Sequence, residues 1–215
     1  MIAMAAKMTR FVLLLMGLML AIAAQAIAAK SIELTPEQTA SIQEIGTYIN
    51  EFTTLQGDFT QISPKGKMSK GIFYISKPGR MRFEYAPPNP FLIVADGTWL
   101  TVKNRKKEKG DQYPLSETPL RLVLNQDVDL IRDTNILAYE EADGLATITL
   151  EDKDALMGGK LVLVFDRKRK ALQQWIVVDS KGRQTTVSLE NIIAGIDPDP
   201  QLFIVKIDRK KRDSR

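Results

Sequence analysis

From Gly57 onward the hydrophobic pattern keeps a period of two, punctuated by short turn signals, and this alternation limits the fold more than any other feature. Alternating runs fall at residues 57–63, 68–76, 80–85, 91–95, 99–103 and 107–113. A second set falls at 136–141, 146–151, 161–166, 172–179 and 183–193. Between them stand Pro78-Gly79, Asp96-Gly97, Asp143-Gly144, Gly158-Gly159 and Lys181-Gly182, residues that bend a chain tightly. Strands joined by turns this short must pair antiparallel, because a parallel pair needs a crossover of a dozen or more residues.

Alternation also assigns faces. Arg82 and Glu84 lie on one side of their strand, so Met81, Phe83 and Tyr85 lie on the other. Leu100 and Val102 oppose Thr101 and Lys103. Thr185, Val187 and Leu189 oppose Gln184, Thr186 and Ser188. The run Ile72-Phe73-Tyr74-Ile75 is apolar on both faces, which fits either a central strand or one lying beside a ligand.

Two helical regions accompany the strands. Thr35-Pro36-Glu37-Gln38 combines an N-cap, a proline at the first helical position and the Gln of a capping box. Ile42, Ile45, Ile49 and Phe52 follow as one apolar stripe, predicting a helix over 36–53 that must be covered by the sheet. In mid-chain, Ser116-Glu117-Thr118-Pro119 precedes a run containing Leu120, Leu122, Val123 and Leu124, predicting short helices over 119–125 and 127–132. Helices lying on one face of an antiparallel sheet make an α+β architecture, expected as one domain over 29–205.

Composition bounds the chemistry. The chain of 215 residues has no cysteine and no histidine, which removes disulfides, Cys/His zinc sites, haem ligation and His-based nucleophilic triads. The acidic stretches Glu140-Glu141-Ala142-Asp143 and Glu151-Asp152-Lys153-Asp154 read as exposed loops, so neither a catalytic nor a metal site is expected. The net charge of +4 comes largely from the termini, with Lys7 and Arg10 at one end and residues 206–215, a basic tail expected to be disordered, at the other. The remainder is close to neutral, and its one basic run, 103–109, reads as a solvated hairpin tip. No basic face interleaved with aromatics is visible, so nucleic acid is not an expected partner.

Residues 1–28 carry an address. Lys7 and Arg10 precede an apolar run over 11–24 that ends in small residues with Ala24-Gln25-Ala26 and Ala26-Ile27-Ala28. This order is that of a secretory signal peptide, cleaved between Ala26 and Lys30, and it predicts export across the inner membrane to the periplasm.

Two segments resemble a known family. One is the glycine-led strand from Gly71 into Lys77-Pro78-Gly79, followed by the aromatic strand Met81 to Tyr85. The other runs from Pro87-Pro88 through Phe91 and Val94 to Asp96-Gly97 and Trp99-Leu100. With Phe59-Thr60-Gln61 upstream, and Leu172, Trp175, Asp179, Gly182 and a closing strand at Leu202-Phe203 downstream, they resemble the periplasmic outer-membrane lipoprotein carriers of LolA type.

The resemblance implies an incomplete antiparallel barrel whose helices cover an apolar cavity for acyl chains. It places Ile45, Ile49, Phe52, Phe59, Phe83, Tyr85, Leu100, Val102, Leu122, Val187 and Leu189 around that cavity. It implies acylated lipoproteins as cargo, an inner-membrane ABC-type extractor and an outer-membrane acceptor lipoprotein as partners, and a monomer without cofactor or enzymatic activity. The same half-barrel also suits a periplasmic sensor or assembly module that binds lipids or peptides. The family commonly has Arg where this chain has Lys77, a residue associated with holding the helices closed. Here that role falls to Lys77, or to Arg80 or Arg82.

Overall fold

A computed structural model gives the fold and describes residues 31–107, 110–154 and 158–206. The signal-peptide reading of 1–28 and residues 207–215 of the basic tail lie outside the described residues.

Helix α1 spans Pro36–Glu51. Its start is fixed as the sequence predicts: Gln38 N donates to Thr35 Oγ1 at 3.2 Å, and Thr35 N donates to Gln38 Oε1 at 3.0 Å. The alternating runs form β1 (Thr54–Ile62), β2 (Met68–Ser76), β3 (Arg80–Tyr85), β4 (Phe91–Asp96), β5 (Trp99–Asn104) and β6 (Gly110–Pro114). The second set forms β7 (Thr134–Ala142), β8 (Leu145–Asp152), β9 (Lys160–Asp166), β10 (Ala171–Val178) and β11 (Gln184–Ala194). Between the two sets lie a 3-10 turn (Leu115–Glu117), helix α2 (Arg121–Leu124) and helix α3 (Leu130–Asp133). Asp129 caps α3 by accepting from Ile131 N and Arg132 N.

All 11 strands belong to one sheet in the order β6-β5-β4-β3-β2-β1-β11-β10-β9-β8-β7. Two meanders are therefore joined through the antiparallel β1–β11 pair. The end strands β6 and β7 do not pair, so the curved sheet is an incomplete barrel. The segment carrying α2 and α3 connects these two free ends, and α1 enters the same concavity.

The inner face packs as alternation requires. Phe59, Phe73, Met81, Phe83, Ile148, Leu163 and Phe165 are buried there together with the α1 stripe Ile42, Ile45 and Ile49. Gly71 is needed for this packing. A Cβ at Gly71 would lie 2.1 Å from Glu84 O and 2.6 Å from the Phe59 ring, so only glycine lets Phe59 cross the strand.

A small second cluster, Leu92, Val94 and Phe203, forms on the outer face. It corrects one expectation. Leu202 and Phe203 belong to a 3-10 turn over Pro200–Phe203, not to a closing strand, because Asp199 accepts from Gln201 N and Pro200 has no N–H to give a ladder. The run from Ile72 to Ile75 is settled by this arrangement too. Phe73 and Ile75 enter the main core, Tyr74 packs against the outer cluster, and Ile72 stays exposed. Among the described residues no helix is long and apolar enough to cross a membrane.

Candidate functional site: an apolar cleft under latched helices

Where the sheet curves away from the helices, the inner face is left partly uncovered. A cleft of about 170 Å³ opens there, walled by Met81, Phe83, Leu100, Val102, Trp175 and Val187 and bordered by Leu120 of the helical segment. Leu100 and Val102 face inward yet are only half-buried, and Leu100 packs against the edge of the main core. A second cavity of about 350 Å³ continues from the first through the shared residues Gln61, Ile93 and Val102 towards Pro88, Asn89 and Phe91.

The structure divides the residues that the sequence places around a cavity. Phe83, Leu100, Val102 and Val187 line the cleft, and Tyr85 lines its continuation. Ile45, Ile49, Phe59 and Leu122 are packed solid within the core, as are Phe52 and Leu189 at slightly higher exposure. Phe59 sits behind the cleft wall, its ring centroid 4.6 Å from Phe83 and 5.0 Å from Tyr85. Sequence reasoning left out Met81, Ile93, Leu120, Trp175 and Val177 as site residues. The alternation of Trp175 with Val177 carried the signal for that strand. Leu120 had none, since its exposure depends on where the helical segment crosses the gap.

Polar bonds fasten the helices over this interior. Lys77, at the end of β2, is buried with 8% exposure, and its ammonium donates to Ile49 O in the last turn of α1. The same Nζ lies 4.2 Å from the Phe52 ring centroid, a cation–π contact. Lys77 N donates to Thr53 O, and two residues on, Gly79 N donates to Leu124 O at the end of α2. The β2–β3 turn thus grips both α1 and α2. Gly79 has φ +72°, and a Cβ there would stand 2.7 Å from Gly97 Cα, so this turn requires glycine.

On the far side of α2, Arg121 makes a two-pronged ion pair with Asp152 of β8, whose side chain is fully buried, and reaches Asp154 at 3.2 Å. This corrects the reading of 151–154 as an exposed loop: residues through Asp152 are strand, and Asp152 is an anchor. Asn50 completes the assembly. Its amide donates to Val128 O and accepts from Val128 N, both at 2.9 Å, tying α1 to the segment before α3.

Residues 50–206 match the family described as Outer membrane lipoprotein carrier protein LolA. The chain belongs to the LolA family. It is 28% identical over 204 residues to an outer-membrane lipoprotein carrier protein of Shewanella halifaxensis, covering 88% of this chain and 95% of that protein. Among solved structures, a LolA superfamily protein from Nitrosomonas europaea aligns with TM-score 0.42 at 12% identity, over 78% of this chain and 97% of that one. MucB in the Pseudomonas aeruginosa MucA/MucB complex aligns with TM-score 0.42 at 13% identity, over 76% of this chain and 59% of that one.

Within this LolA-family chain, Arg80 and Arg82 make their contacts away from α1 and α2. Arg80 donates to Ser76 Oγ and lies over the Phe203 ring, while Arg82 donates to Glu84 and to Leu202 O at 3.0 Å. Both side chains hold the C-terminal turn on the outer face of the sheet. The period of two explains this: residues 80 and 82 share a face opposite Met81 and Phe83.

Burial lowers the Lys77 ammonium from 10.5 to about 8. The unfolded chain therefore binds more protons than the folded one between these values. Stability then rises with pH across that window, because the cost of burying the charge is relieved. Compared with Lys77→Met, the parent is expected to gain unfolding free energy from pH 8 towards pH 10, by at most ~1.4 kcal/mol per pH unit. Tyr85, pushed up to about 12 chiefly by burial, acts oppositely above pH 10, but it is common to both proteins and cancels from the comparison. Urea unfolding of both proteins across the range checks it, and parallel profiles would contradict it.

Proposed function

We propose that this LolA-family carrier moves lipoproteins through the periplasm from the inner to the outer membrane, sheltering their acyl chains in the cleft beneath α1 and α2. It would take cargo from an inner-membrane ABC-type extractor and pass it to an outer-membrane acceptor lipoprotein. The observation that carries this reading is the apolar cleft itself, which stays accessible beside helices fastened by a few polar bonds.

The energetics set the need. An acyl chain of about 16 carbons left in water costs on the order of 12 kcal/mol at ~0.8 kcal/mol per methylene. A lipoprotein therefore leaves a bilayer only if something apolar receives it. The cleft, about 170 Å³, is smaller than the ~300–1,000 Å³ of ordinary ligand pockets. Loading consequently requires the helices to lift, and the bonds of Lys77 and Gly79 are the ones that must break. Met81 and the aliphatic walls accept chains of different shape without directional bonds, which favours later release.

Leu100→Asn tests the assignment. The new amide would face an apolar interior that gives it no partner, costing roughly 1–3 kcal/mol wherever it is buried. Because Leu100 is half-buried in the closed protein, the penalty falls mainly on the loaded state. Affinity for an acylated lipoprotein is expected to drop about tenfold, while the unfolding midpoint in urea changes little. Equal losses of binding and stability would show a solid core there. Rescue of cells depleted of their own carrier separates transport from lipid or peptide sensing on the same half-barrel. Retained acyl binding without rescue would favour the sensor.

A further inference from the structure

We infer that Gln61 reads the carbonyl by which an acyl chain is joined to its head group, and so sets how deeply the chain inserts. The inference rests on the acyl-carrier reading above and adds a polar determinant to it.

Gln61 stands where two continuous cavities meet. It lines the apolar cleft together with Met81, Leu100 and Trp175, and it also lines the continuing cavity, whose walls include Ser63, Lys67, Ser69 and Asn89. The first suits hydrocarbon; the second is apolar over much of its lining, with Pro88, Phe91 and Ile93, and adds the polar side chains Ser69 and Asn89 that a head group could meet. Tyr85, buried at 3% exposure, donates its hydroxyl to Gln61 Oε1 at 2.5 Å. That bond takes up the amide oxygen and fixes the plane of the group. Among the described residues the amide nitrogen of Gln61 donates to no protein acceptor. An oriented donor is thus presented at the boundary between the two cavities.

The consequence follows from desolvation. A chain sliding into the cleft displaces water from the half-buried amide, and a donor stripped of water needs a replacement acceptor. An ester or amide carbonyl at the end of the hydrocarbon supplies one when it stops beside Gln61. Bare hydrocarbon, or an ether linkage, does so poorly. The head group then falls in the cavity of Ser69 and Asn89, where Asn89 Nδ2 already donates to Ser69 Oγ at 3.0 Å.

The experiment compares 1-palmitoylglycerol with 1-O-hexadecylglycerol, which share chain and head and differ in the carbonyl. Each would displace a polarity-sensitive naphthalene dye from the purified chain, below micellar concentrations. The parent is expected to bind the ester three- to tenfold more tightly than the ether, the range that one neutral hydrogen bond spans. Gln61→Met should bind the two alike, because it leaves no stripped donor beside either linkage. Gln61→Glu is nearly isosteric and guards against a packing fault in the methionine variant. Its carboxylate repels a carbonyl, so it should lose the ester preference as well. Tyr85→Phe, which releases the amide plane, should shrink the preference. Equal binding of both amphiphiles by the parent, or a preference that survives in Gln61→Met and Gln61→Glu, overturns the inference and leaves the cavity reading standing. Failure of the parent to bind either amphiphile overturns the cavity reading and this inference with it.

Discussion

Arg121→Met is expected to destabilise the protein by about 3–5 kcal/mol, the range found when one partner of a buried ion pair is removed. Asp152 is the reason. Its carboxylate is fully buried and receives both prongs of the Arg121 guanidinium, so the substitution leaves a charge with neither solvent nor counter-ion. The large guanidinium–carboxylate hydrogen bonds also hold the Arg121 proton more firmly than usual, against a smaller opposing effect of burial. Removing both charges is predicted to recover most of the loss, because an apolar pair of similar volume avoids the desolvation cost altogether. Urea unfolding of Arg121→Met, Asp152→Leu and the double variant measures this coupling. A double variant as unstable as the sum of the singles would show that the two residues act independently.

The pair also bears on movement. Arg121 fastens α2 to β8, whereas Gly79 N and Lys77 Nζ fasten the helices to the β2–β3 turn. The first attachment is a buried two-pronged ion pair; the second consists of hydrogen bonds to main-chain carbonyls.

Lys77→Leu should slow transfer of a bound lipoprotein to its acceptor by tenfold or more without weakening the fold. On the carrier reading proposed above, closure and cargo would compete for one interior, and a bond that favours closure would supply part of the force that expels the acyl chains. Lys77 donates to Ile49 O from a buried position, and charge-assisted bonds of this kind contribute roughly 1.5–3 kcal/mol. Leucine keeps the bulk against Phe52, and the loss of the bond is offset by relief of the buried charge, so the thermal midpoint should change little. Arginine at 77 restores a donor and should transfer at least as well as lysine. Transfer assays run beside thermal unfolding separate these effects. Normal transfer by Lys77→Leu would reduce the residue to a structural contact of the turn.

The sheet was legible from short-range pattern alone. Each alternating run became a strand, with β2 and β3 ending where the sequence places them and the others differing by a few residues. The capping box of Thr35 and Gln38 formed as written. These signals are local, because a side chain's face follows from its neighbours' positions along one strand or helix. What pattern could not supply was distance across the fold. Ile45 and Phe83 both read as inward-facing apolar residues, yet Ile45 is packed in the core and Phe83 borders the cleft. Burial on the inner face depends on whether a helix passes overhead, and periodicity contains no term for that.

Sequence by itself determined the antiparallel order of neighbouring strands, the in-facing and out-facing sets, the two helical interruptions and the absence of cysteine and histidine chemistry. Tertiary structure alone decided which surfaces meet. It placed the ammonium of Lys77 on Ile49 O, sent Arg80 and Arg82 to the outer face with the C-terminal turn, and buried Asp152 under Arg121 in a stretch that looked solvated. It also left β6 and β7 unpaired and put Gln61 where an apolar cleft joins a cavity of mixed lining. The physical reason is common to all five. Alternation and turn chemistry act over a few residues, whereas these contacts join positions brought together only when the whole sheet curves and its helices settle into the concavity.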